Sequence, residues 1–406
     1  MGDGLVDRDE VSLMKDVKSL IEPYKEYVQL LRREFHEHPE LSNREFETTK
    51  RIARELDVLG VEYELDTARN VGLVGIIKGD KPGKTIALRA DIDALPVEER
   101  TNLPFKSKNE GVMHACGHDG HMAILLGAAK MLMENRDQLE GTVYLVFQPA
   151  EETGAGAPDM IAFSDWYEKT DAIFGGHVWS ALDAGLISVE EGPRFAGSDI
   201  FTIKIQGKQA HGAQPQMGVD ALVVAAAMVM NLQTIISRNI SALDSAVLTI
   251  GNIKSGTEWN IVNGEATMGG TVRYFDKADR DFIVDRMKAI VEHTALAYGA
   301  TAELIYEKRV PPTINETQSS GLAERVVVDV LGKEHLSPFQ KVMAGEDFAN
   351  YLEGKPGCFA FIGVRNPECD AVYDHHNNKF NMDDSVLSAA SAVYAQYAIQ
   401  WLKENK

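Results

Sequence analysis

The sequence predicts an α/β protein of two domains, one of which has a mixed sheet flanked by helices. Three observations support this fold class. The chain has 406 residues, more than one ordinary core accommodates. From Val61 onward, short apolar strands alternate with helical stretches. The central stretch, 196–311, has a different order of elements from the segments on either side of it.

The outer segments predict helices and strands in alternation. Apolar residues at helical spacing predict helices in the first sixty positions, at Tyr27, Leu30, Leu31 and Phe35 and again at Ile52, Leu56 and Leu59. The runs VGLVGIIKG, TIALRADID, TVYLVFQPAEE and AIFGGHVW predict strands, with a buried helix at 121–135. A second helix near 321–331, a strand at 357–364 and a last helix near 384–402 are expected later in the chain. Apolar strands separated by helices favour a largely parallel sheet covered on both faces.

The central stretch predicts a unit that is complete in itself. Alternation predicts strands at 199–207, 245–256, 265–275 and 300–310, with helices at 218–237 and 278–299. That order, β-α-β-β-α-β, is the ferredoxin-like unit. Turn-rich EEGPRFAG precedes it and VPPTINE follows it. We therefore expect a ferredoxin-like domain at 196–311, inserted into a first domain made of 1–195 and 312–406.

Composition excludes some classes of partner. A net charge of −20 argues against nucleic acid, because phosphate binding needs a basic surface. Three cysteines are too few for a disulfide framework and favour a reducing cytoplasm. The N-terminal MGDGLVDRDEVSLMKD has neither the apolar region of a secretory signal nor a myristoylation pattern. No apolar run reaches the roughly 18 residues that span a bilayer, so no membrane partner is expected.

Five polar clusters are expected at the carboxyl ends of strands, where open α/β sheets bind ligands. They are RADIDALP (89–96), HACGHDGH (114–121), PAEETGAG (149–156), GGHVW (175–179) and DHHNNKF (374–380). HACGHDGH alone permits three interpretations: a reactive thiol at Cys116, a metal site, or a polar loop without chemistry. Each of the other clusters alone is most often a solvated loop. Their coincidence favours a metal site.

The types of residue suit a first-row transition metal, with sulfur, nitrogen and oxygen ligands. Cys116 and His118 are two positions apart and cannot share a helix face, but they can share a loop in which Gly117 bends the backbone. Further ligands are available from distant segments: Glu151 or Glu152, His177, and His375 or His376. Two cations about 3.5–4 Å apart could share such a set. Because neighbours leaving a strand point in opposite directions, one glutamate could ligate while the other acts as general base.

The ordered motifs resemble one family. RADIDALP, HACGHDGH, FQPAEETGAG, GGHVW, KQAHGAQPQMGVDA, GTVR, GEDFANY and HHNNKF are similar to motifs of the aminoacylase/carboxypeptidase family of dinuclear metallohydrolases. The branch matched is that of hippurate hydrolases, N-acyl-amino-acid deacylases and plant auxin–amino-acid conjugate hydrolases. The resemblance runs from about Leu31 to Leu402. It implies a metallo-exopeptidase-like catalytic domain with an inserted ferredoxin-like lid, assembled as a homodimer or a dimer of dimers.

The resemblance also implies roles for individual residues. The two divalent metals, Zn, Mn, Co or Ni, would be held by Cys116, His118, Glu152, His177 and His376. Glu151 would be the general base, and Asp93 would orient a ligand or the base. In the lid, His211 would stabilise the oxyanion, while Asn260 and Arg273 would bind the substrate's carboxylate. Gly345 and Glu346 would lie in the substrate-pocket loop. Outside this set, Asp119 is expected to support a ligand, His121 to belong to the following helix, and His114 is left without a role.

The implied activity is hydrolysis of a small-molecule N-acyl amino acid, such as an N-acetyl or N-benzoyl derivative, to a carboxylic acid and a free amino acid. One alternative is a dipeptidase or carboxypeptidase of the same family. An alternative of another class is a binding protein that kept the fold and lost catalysis. Other branches carry a His-x-Asp motif where this chain has Asp91-Ile92-Asp93, which points away from the peptidase and succinyl-diaminopimelate branches.

Overall fold

The computed structural model of the chain describes residues 16–406. The N-terminal segment 1–16, from which we predicted neither a signal peptide nor myristoylation, lies almost wholly outside the described residues. The strands in the described part are β1 (Glu62–Leu65), β2 (Leu73–Lys78), β3 (Lys81–Asp91), β4 (Glu140–Gln148), β5 (Ala172–Asp183), β6 (Ile187–Ser188), β7 (Gly192–Phe195), β8 (Gly197–Gln206), β9 (Ala210–His211), β10 (Ala246–Ser255), β11 (Ile261–Val262), β12 (Glu265–Tyr274), β13 (Thr301–Val310), β14 (Thr313–Asn315) and β15 (Gly357–Arg365). The α-helices there are α1 (Ile21–Glu37), α2 (Phe46–Leu59), α3 (His118–Glu134), α4 (Gly156–Phe163), α5 (Trp166–Lys169), α6 (Ala221–Thr234), α7 (Lys277–Ala297), α8 (Thr317–Val330), α9 (Ala349–Leu352) and α10 (Leu387–Glu404).

Seven strands form a mixed sheet in the order β1-β2-β4-β3-β5-β15-β6. The central strands β4, β3, β5 and β15 run parallel to one another. The outer strands β1 and β2 on one side and β6 on the other pair antiparallel with their neighbours. The sheet is therefore mixed, as predicted, with the expected parallel strands at its centre and antiparallel strands on either side of them. Strand β15 comes from the last part of the chain, so the chain returns to this sheet after its central stretch.

Both faces of this sheet are covered. Alternate residues of a strand point to opposite faces, and in β4 Val143 and Leu145 face one core while Tyr144 and Val146 face another. The first core packs against α1, α2, α3, α8 and α10, and the second packs against α4, α5 and α9. Leu30, one of the residues that predicted α1, is 57% exposed, because the buried stripe of that helix runs through its neighbours Val28, Leu31 and Phe35.

The central stretch builds a separate antiparallel sheet in the order β10-β12-β8-β13. Its elements follow each other as β8-α6-β10-β12-α7-β13. Helices α6 and α7 pack on this sheet around their own apolar cluster, which includes Val224, Met228, Ile283 and Met287. The segments that lead into and out of this stretch lie side by side, since β7 pairs with β14. The boundaries of an inserted domain at 196–311 stay a prediction.

One helix bears on the expectation that no apolar run is as long as a membrane span. Ala221–Asn239, which is α6 with the π-helical turn that continues it, is long and apolar enough by length and composition alone. Polar residues such as Asn231, Gln233 and Arg238 interrupt it, so it is not an unbroken apolar run. The face that carries Val224 and Met228 packs in the core beneath the four-stranded sheet, whereas Leu222, Val223 and Met230 are exposed.

Candidate metal centre and active site

The HACGHDGH segment forms a tight loop that leads into α3. Gly117 has a φ of +92°, a left-handed conformation that glycine adopts without strain. A Cβ at this position would lie 2.3 Å from Cγ2 of Val178, so no other residue fits. Helix α3 begins at His118. The loop therefore presents Cys116 and His118 at one place although they are not neighbours on a helix face.

Five candidate ligands converge around Cys116. Two groups of side chains share its sulfur, one with His118 and His177 and the other with Glu152 and His376. Within each group the candidate ligand atoms lie within 4.8 Å of one another. The Cys116 sulfur is 3.5 Å from Nε2 of His177, and Nε2 of His376 is 3.3 Å from Oε1 of Glu152. Two overlapping groups with one shared sulfur are the donor arrangement that a pair of cations needs.

Hydrogen bonds leave the metal-facing atoms of these residues free. Nδ1 of His118 donates to the carbonyl oxygen of Asp93 at 2.8 Å, and Nδ1 of His177 donates to the carbonyl oxygen of Val178 at 2.6 Å. Among the described residues, the buried Nε2 of His118 has no hydrogen-bond partner, and Oε1 of Glu152 has only its contact with the candidate ligand His376. Buried polar atoms are seldom left unpaired, and metal-binding histidines commonly donate their other nitrogen to a carbonyl group. The residues present therefore fit a pair of divalent metal ions.

The environment of Cys116 disfavours a free thiolate nucleophile. The residue keeps some exposed surface, but burial of its sulfur raises the pKa of the thiol well above its usual range. The carboxylates of Glu152 and Glu151 raise this pKa further. Since reactive cysteines need a lowered thiol pKa, a nucleophilic Cys116 is the weaker interpretation. A cation at the site would reverse this effect and favour the thiolate as a ligand.

The two adjacent histidines of DHHNNKF have different surroundings. His376 has a φ of +65°, and its N–H donates to the carbonyl oxygen of Ala115 at 2.8 Å. This bond joins its loop to the segment that carries Cys116. His375 is engaged elsewhere, with Nε2 donating to the carbonyl oxygen of Val178 at 2.9 Å. Only His376 of the pair belongs to a group of candidate ligands among the described residues.

The prediction that all five clusters lie at strand ends is wrong. Only RADIDALP and PAEETGAG directly follow the ends of strands, β3 and β4. His177 lies inside β5, because β5 continues to Asp183 alongside β15. HACGHDGH precedes α3, and DHHNNKF lies in a loop nine positions beyond β15. The clusters come together because hydrogen bonds join loops that are distant in sequence, such as the bond from His376 to Ala115. The sequence of a single segment does not predict such a contact.

The sequence led us to expect Glu151 and Glu152 to leave β4 in extended backbone. That expectation is wrong, because the chain turns directly after β4. Ala150 adopts a left-handed conformation, with φ 56° and ψ 36°, and a 3₁₀ turn covers Glu151–Thr153. A left-handed alanine costs roughly 1–2 kcal/mol, so other contacts must hold it. The turn separates the two carboxylates: Glu152 approaches His376, whereas Oε1 of Glu151 accepts a hydrogen bond from the N–H of Asp347 at 3.3 Å.

Asp93 connects the turn at Glu151–Thr153 to the HACGHDGH segment, which we call the ligand loop. Its two carboxylate oxygens accept the N–H groups of Glu151 and Glu152, each at 3.1 Å. Oδ1 also lies 3.2 Å from Nδ1 of His118, and Oδ2 accepts from Ser42 at 2.7 Å. Asp93 is buried and belongs to no group of candidate ligands among the described residues. It therefore orients the base candidate and two ligand candidates, Glu152 and His118, at the same time.

A buried ionic network behind Glu151 was missed at the sequence level. The Arg89 guanidinium forms ion pairs with Asp91 at 2.6 Å, Asp347 at 3.0 Å and Glu346 at 3.1 Å, and all four side chains are buried. Burial raises the pKa of Glu151 well above its usual range, and Glu346 and Asp347 raise it further. The signal was present, because an arginine within the apolar run TIALRAD has to find buried partners.

The remaining polar residues of HACGHDGH differ in their relation to the candidate ligands: Asp119 points away from them, whereas the His121 ring packs against His118 and His177. Asp119 was expected to support a candidate ligand, but it does not. Its carboxylate accepts hydrogen bonds from Nε of Arg32 at 2.9 Å and from Nδ1 of His36 at 2.8 Å. The reason is helical geometry, since Asp119 follows His118 in α3 and points toward α1. His121 lies in α3 as predicted and pairs with Asp91 at 2.5 Å. His114 is buried, and both of its ring nitrogens lack a partner among the described residues.

The candidate residues of the four-stranded region are placed differently. His211 and Asn260 are exposed and adjacent, because β9 pairs with β11 and the carbonyl oxygen of Asn260 accepts from Gly212 at 2.7 Å. Neither belongs to a group of candidate ligands among the described residues. Arg273 in β12 is half-buried and lies opposite Ser198 of β8.

The loop that carries Gly345 reaches the strand pair that carries Arg273. A Cβ on Gly345 would lie 3.2 Å from Cβ of Ser198, the register partner of Arg273. Burial lowers the pKa of the Arg273 guanidinium, while Asp199 opposes this shift. The structure thus brings Gly345 close to the strand of Arg273, and it leaves His211 and Asn260 on a separate exposed surface.

Comparison with known proteins agrees with this architecture. The model of peptidase family M20/M25/M40 matches residues 87–400. The chain is 41% identical over 378 residues to N-acetyl-L-cysteine deacetylase of Bacillus subtilis, covering 93% of this chain and 88% of that protein. It is 37% identical over 394 residues to thermostable carboxypeptidase 1 of Saccharolobus solfataricus, covering 96% and 99%. A dinuclear metal-binding peptidase of the M20 family from Bacillus subtilis superposes with a TM-score of 0.84 at 36% identity, covering 94% of this chain and 99% of that one.

Proposed function

Because the chain belongs to peptidase family M20/M25/M40, we propose that it is a metal-dependent amidohydrolase of N-acyl amino acids. It cleaves the amide bond and releases a carboxylic acid and a free amino acid. The relatives support this reaction class, since one is named N-acetyl-L-cysteine deacetylase. The observation that carries the proposal is the pair of candidate ligand groups that share Cys116, with Glu151 beside them.

Cys116, His118, Glu152, His177 and His376 would hold two divalent cations, Zn, Mn, Co or Ni. When bound, the cations supply Lewis acidity to the acyl carbonyl group and lower the pKa of water. Glu151 takes the proton from water and delivers it to the leaving nitrogen. Its raised pKa suits both halves of this transfer. Asp93 and the N–H of Asp347 hold the base in place.

The four-stranded region acts as a lid, and the segment 196–311 is a domain of its own. Arg273 binds the amino acid's carboxylate through its planar guanidinium, assisted by Asn260. His211 stabilises the oxyanion that forms on the acyl oxygen. Gly345, with no side chain, allows its loop to approach Ser198, the register partner of Arg273, closely. Closure of the lid would bring His211 and Asn260 from their exposed surface to the bound substrate.

A panel of substrates tests the proposal. The metal-loaded enzyme is assayed with N-acetyl, N-benzoyl and N-aminoacyl derivatives of the same amino acids. We expect release of free amino acid from the N-acetyl or N-benzoyl compounds, loss of activity on chelation and recovery when Zn, Mn, Co or Ni is added back. Activity in a fully metal-free preparation would contradict the metal requirement.

The same panel separates the alternatives. Preference for substrates with a free α-amino group would make the chain a dipeptidase, and preference for longer peptides would favour the carboxypeptidase activity named for one relative. An inactive binding protein would cleave none of them while still binding metal and ligand. The complete donor set and the buried Glu151 carboxyl disfavour this last alternative.

We also propose a homodimer or dimer of dimers formed through the lid, in a cytoplasmic protein. Strand β10 is an edge strand, and Leu222, Val223 and Met230 lie exposed on α6, Met230 being 70% exposed. Apolar surface beside an unpaired edge strand suits a self-complementary interface. Light scattering of the wild type and of Met230→Glu tests this: the variant should shift toward monomer, whereas Lys288→Glu on an exposed site of α7 should not.

A further inference from the structure

Glu45 occupies an unusual position for a carboxylate. It immediately precedes α2, where an acidic side chain commonly accepts an N–H group of its own helix. Glu45 makes no such bond. Glu40 takes over this task, since its Oε2 accepts the N–H of Thr48 at 2.7 Å. The Glu45 side chain is therefore free to extend away from α2.

The Glu45 carboxyl reaches the turn that carries the two glutamates of the active site. Its Oε1 accepts the N–H of Ala150 at 2.9 Å, across 105 positions of sequence. Ala150 is the left-handed residue of that turn, with φ 56°. Asp93 accepts the next two N–H groups, those of Glu151 and Glu152. Three consecutive backbone N–H groups are thus held by two buried carboxyl groups from distant segments.

Glu45 is not placed for stability alone. Its side chain is fully buried, and Oε2 has no hydrogen-bond partner among the described residues. Burial raises the pKa of this carboxyl to about 7, and the nearby Asp93 carboxylate contributes to the rise. A buried carboxyl oxygen without a partner destabilises a folded protein, and an apolar residue would avoid this cost.

We propose that Glu45 is a positioning residue, which holds Ala150 in its left-handed conformation and so directs Glu151 toward water and Glu152 toward the cations. The inference rests on the proposed function, because it assigns Glu45 a task in that same site. It adds a residue that contacts neither substrate nor metal. Loss of Glu45 should therefore act on kcat and on the metal environment, with little effect on the binding of substrate.

The test compares Glu45→Ala and Glu45→Gln with the control Glu47→Gln, an exposed first-turn glutamate of the same helix that pairs with Lys50. We expect Glu45→Ala to lower kcat about 10- to 100-fold with KM changed by less than about three-fold, as for other residues that orient metal ligands. Glu45→Gln keeps an acceptor oxygen and should recover kcat to within a few-fold of wild type. Co(II) absorption should shift in Glu45→Ala and stay unchanged in Glu47→Gln.

Ala150→Gly supplies a second, independent test. Glycine adopts positive φ without steric cost, so the turn should depend less on Glu45 in this background. We expect the loss of kcat on Glu45→Ala to be several-fold smaller in the Ala150→Gly background than in the wild-type chain. If Glu45→Ala does not fold, the same comparison is made with Glu45→Met, which fills the buried site but removes the acceptor oxygen.

The outcomes of these measurements are separable. A wild-type enzyme that binds Co(II) but cleaves no member of the panel would refute the proposed function. An active wild type in which Glu45→Ala matches Glu47→Gln in kcat and in Co(II) spectrum would refute the positioning role alone. Equal losses of kcat in the wild-type and Ala150→Gly backgrounds would also refute it.

Discussion

The residues expected to do chemistry are held in two very different ways in the two regions of the molecule. Around the seven-stranded sheet, Glu151, Glu152 and His118 are tied to one buried carboxylate, that of Asp93. In the four-stranded region, His211 is exposed and its side chain bonds within its own turn, where Nδ1 accepts the N–H of Ala213. The first set is fixed by the fold itself, whereas the proposed function would require the second set to be brought to the substrate.

This difference has a thermodynamic basis. Buried hydrogen bonds and ion pairs hold catalytic groups near their working positions, which avoids an ordering cost at the moment of reaction. Exposed residues on a short ladder such as β9–β11 must gain their contacts from lid closure or from a second copy of the chain. Substitutions in the two regions should therefore produce different kinetic signatures.

The largest effect is expected for Glu151→Gln. The amide cannot accept a proton from water, so kcat should fall by about 10²–10⁴ while the metal content is retained. Steady-state kinetics together with metal analysis check this result. Glu152→Gln is the matched comparison, because it should lower metal affinity instead. Activity that survives Glu151→Gln with metal still bound would exclude Glu151 as the base.

A smaller loss is expected for His211→Ala. Removing a group that stabilises the oxyanion should lower kcat by about 10²–10³ without changing metal content. His293→Ala is the control, since His293 is an exposed histidine of the same region on α7. An unchanged kcat for His211→Ala would show that this surface never reaches the substrate, and it would remove the need for lid closure.

Arg273→Lys should mainly raise KM. Lysine keeps the charge but loses the planar fork that matches a carboxylate, so we expect KM for N-acyl amino acids to rise about 10-fold. For a substrate analogue with a primary amide in place of the carboxylate, the KM values of wild type and variant should be similar. The control is Arg286→Lys in α7, whose Nε donates to Oδ1 of Asn239 in the same region. If both substrates respond equally, Arg273 acts on the fold of the lid and not on the carboxylate.

The smallest effect concerns stability in the region behind the ligand loop. Burial alone would lower the pKa of His36, but Asp119 and Glu99 raise it above its usual range. The folded state thus binds this proton more tightly than the unfolded chain, whose histidine titrates near pH 6.5. The stabilisation is fully present below about pH 6.5 and is lost as pH rises through the folded pKa.

Urea denaturation of His36→Gln checks this sign. The variant should lose roughly 1–2 kcal/mol of unfolding free energy near pH 6 and clearly less at higher pH. His38→Gln, at the end of the same helix and outside the buried cluster, should show no such dependence. A destabilisation of His36→Gln that grows with pH would contradict a charged His36 in the folded state.

The sequence was informative wherever one segment carried the whole signal. Strand and helix periodicity identified the central strands, the main helices and the order of elements in 196–311. Gly117 was expected to bend the ligand loop, and its φ of +92° agrees. The ordered motifs identified the family, and the match over residues 87–400 confirmed it.

Only the tertiary structure decided how distant segments share charge and hydrogen bonds. The order of strands in the seven-stranded sheet, the left-handed turn at Ala150 and the partners of Asp119 all depend on contacts between residues far apart in the chain. Local periodicity reports which face of an element is apolar, but it carries no information about which buried carboxylate meets which backbone N–H. For that reason the sequence indicated the candidate ligands, whereas Glu45 and Arg89, which hold the site in shape, became visible only in the folded chain.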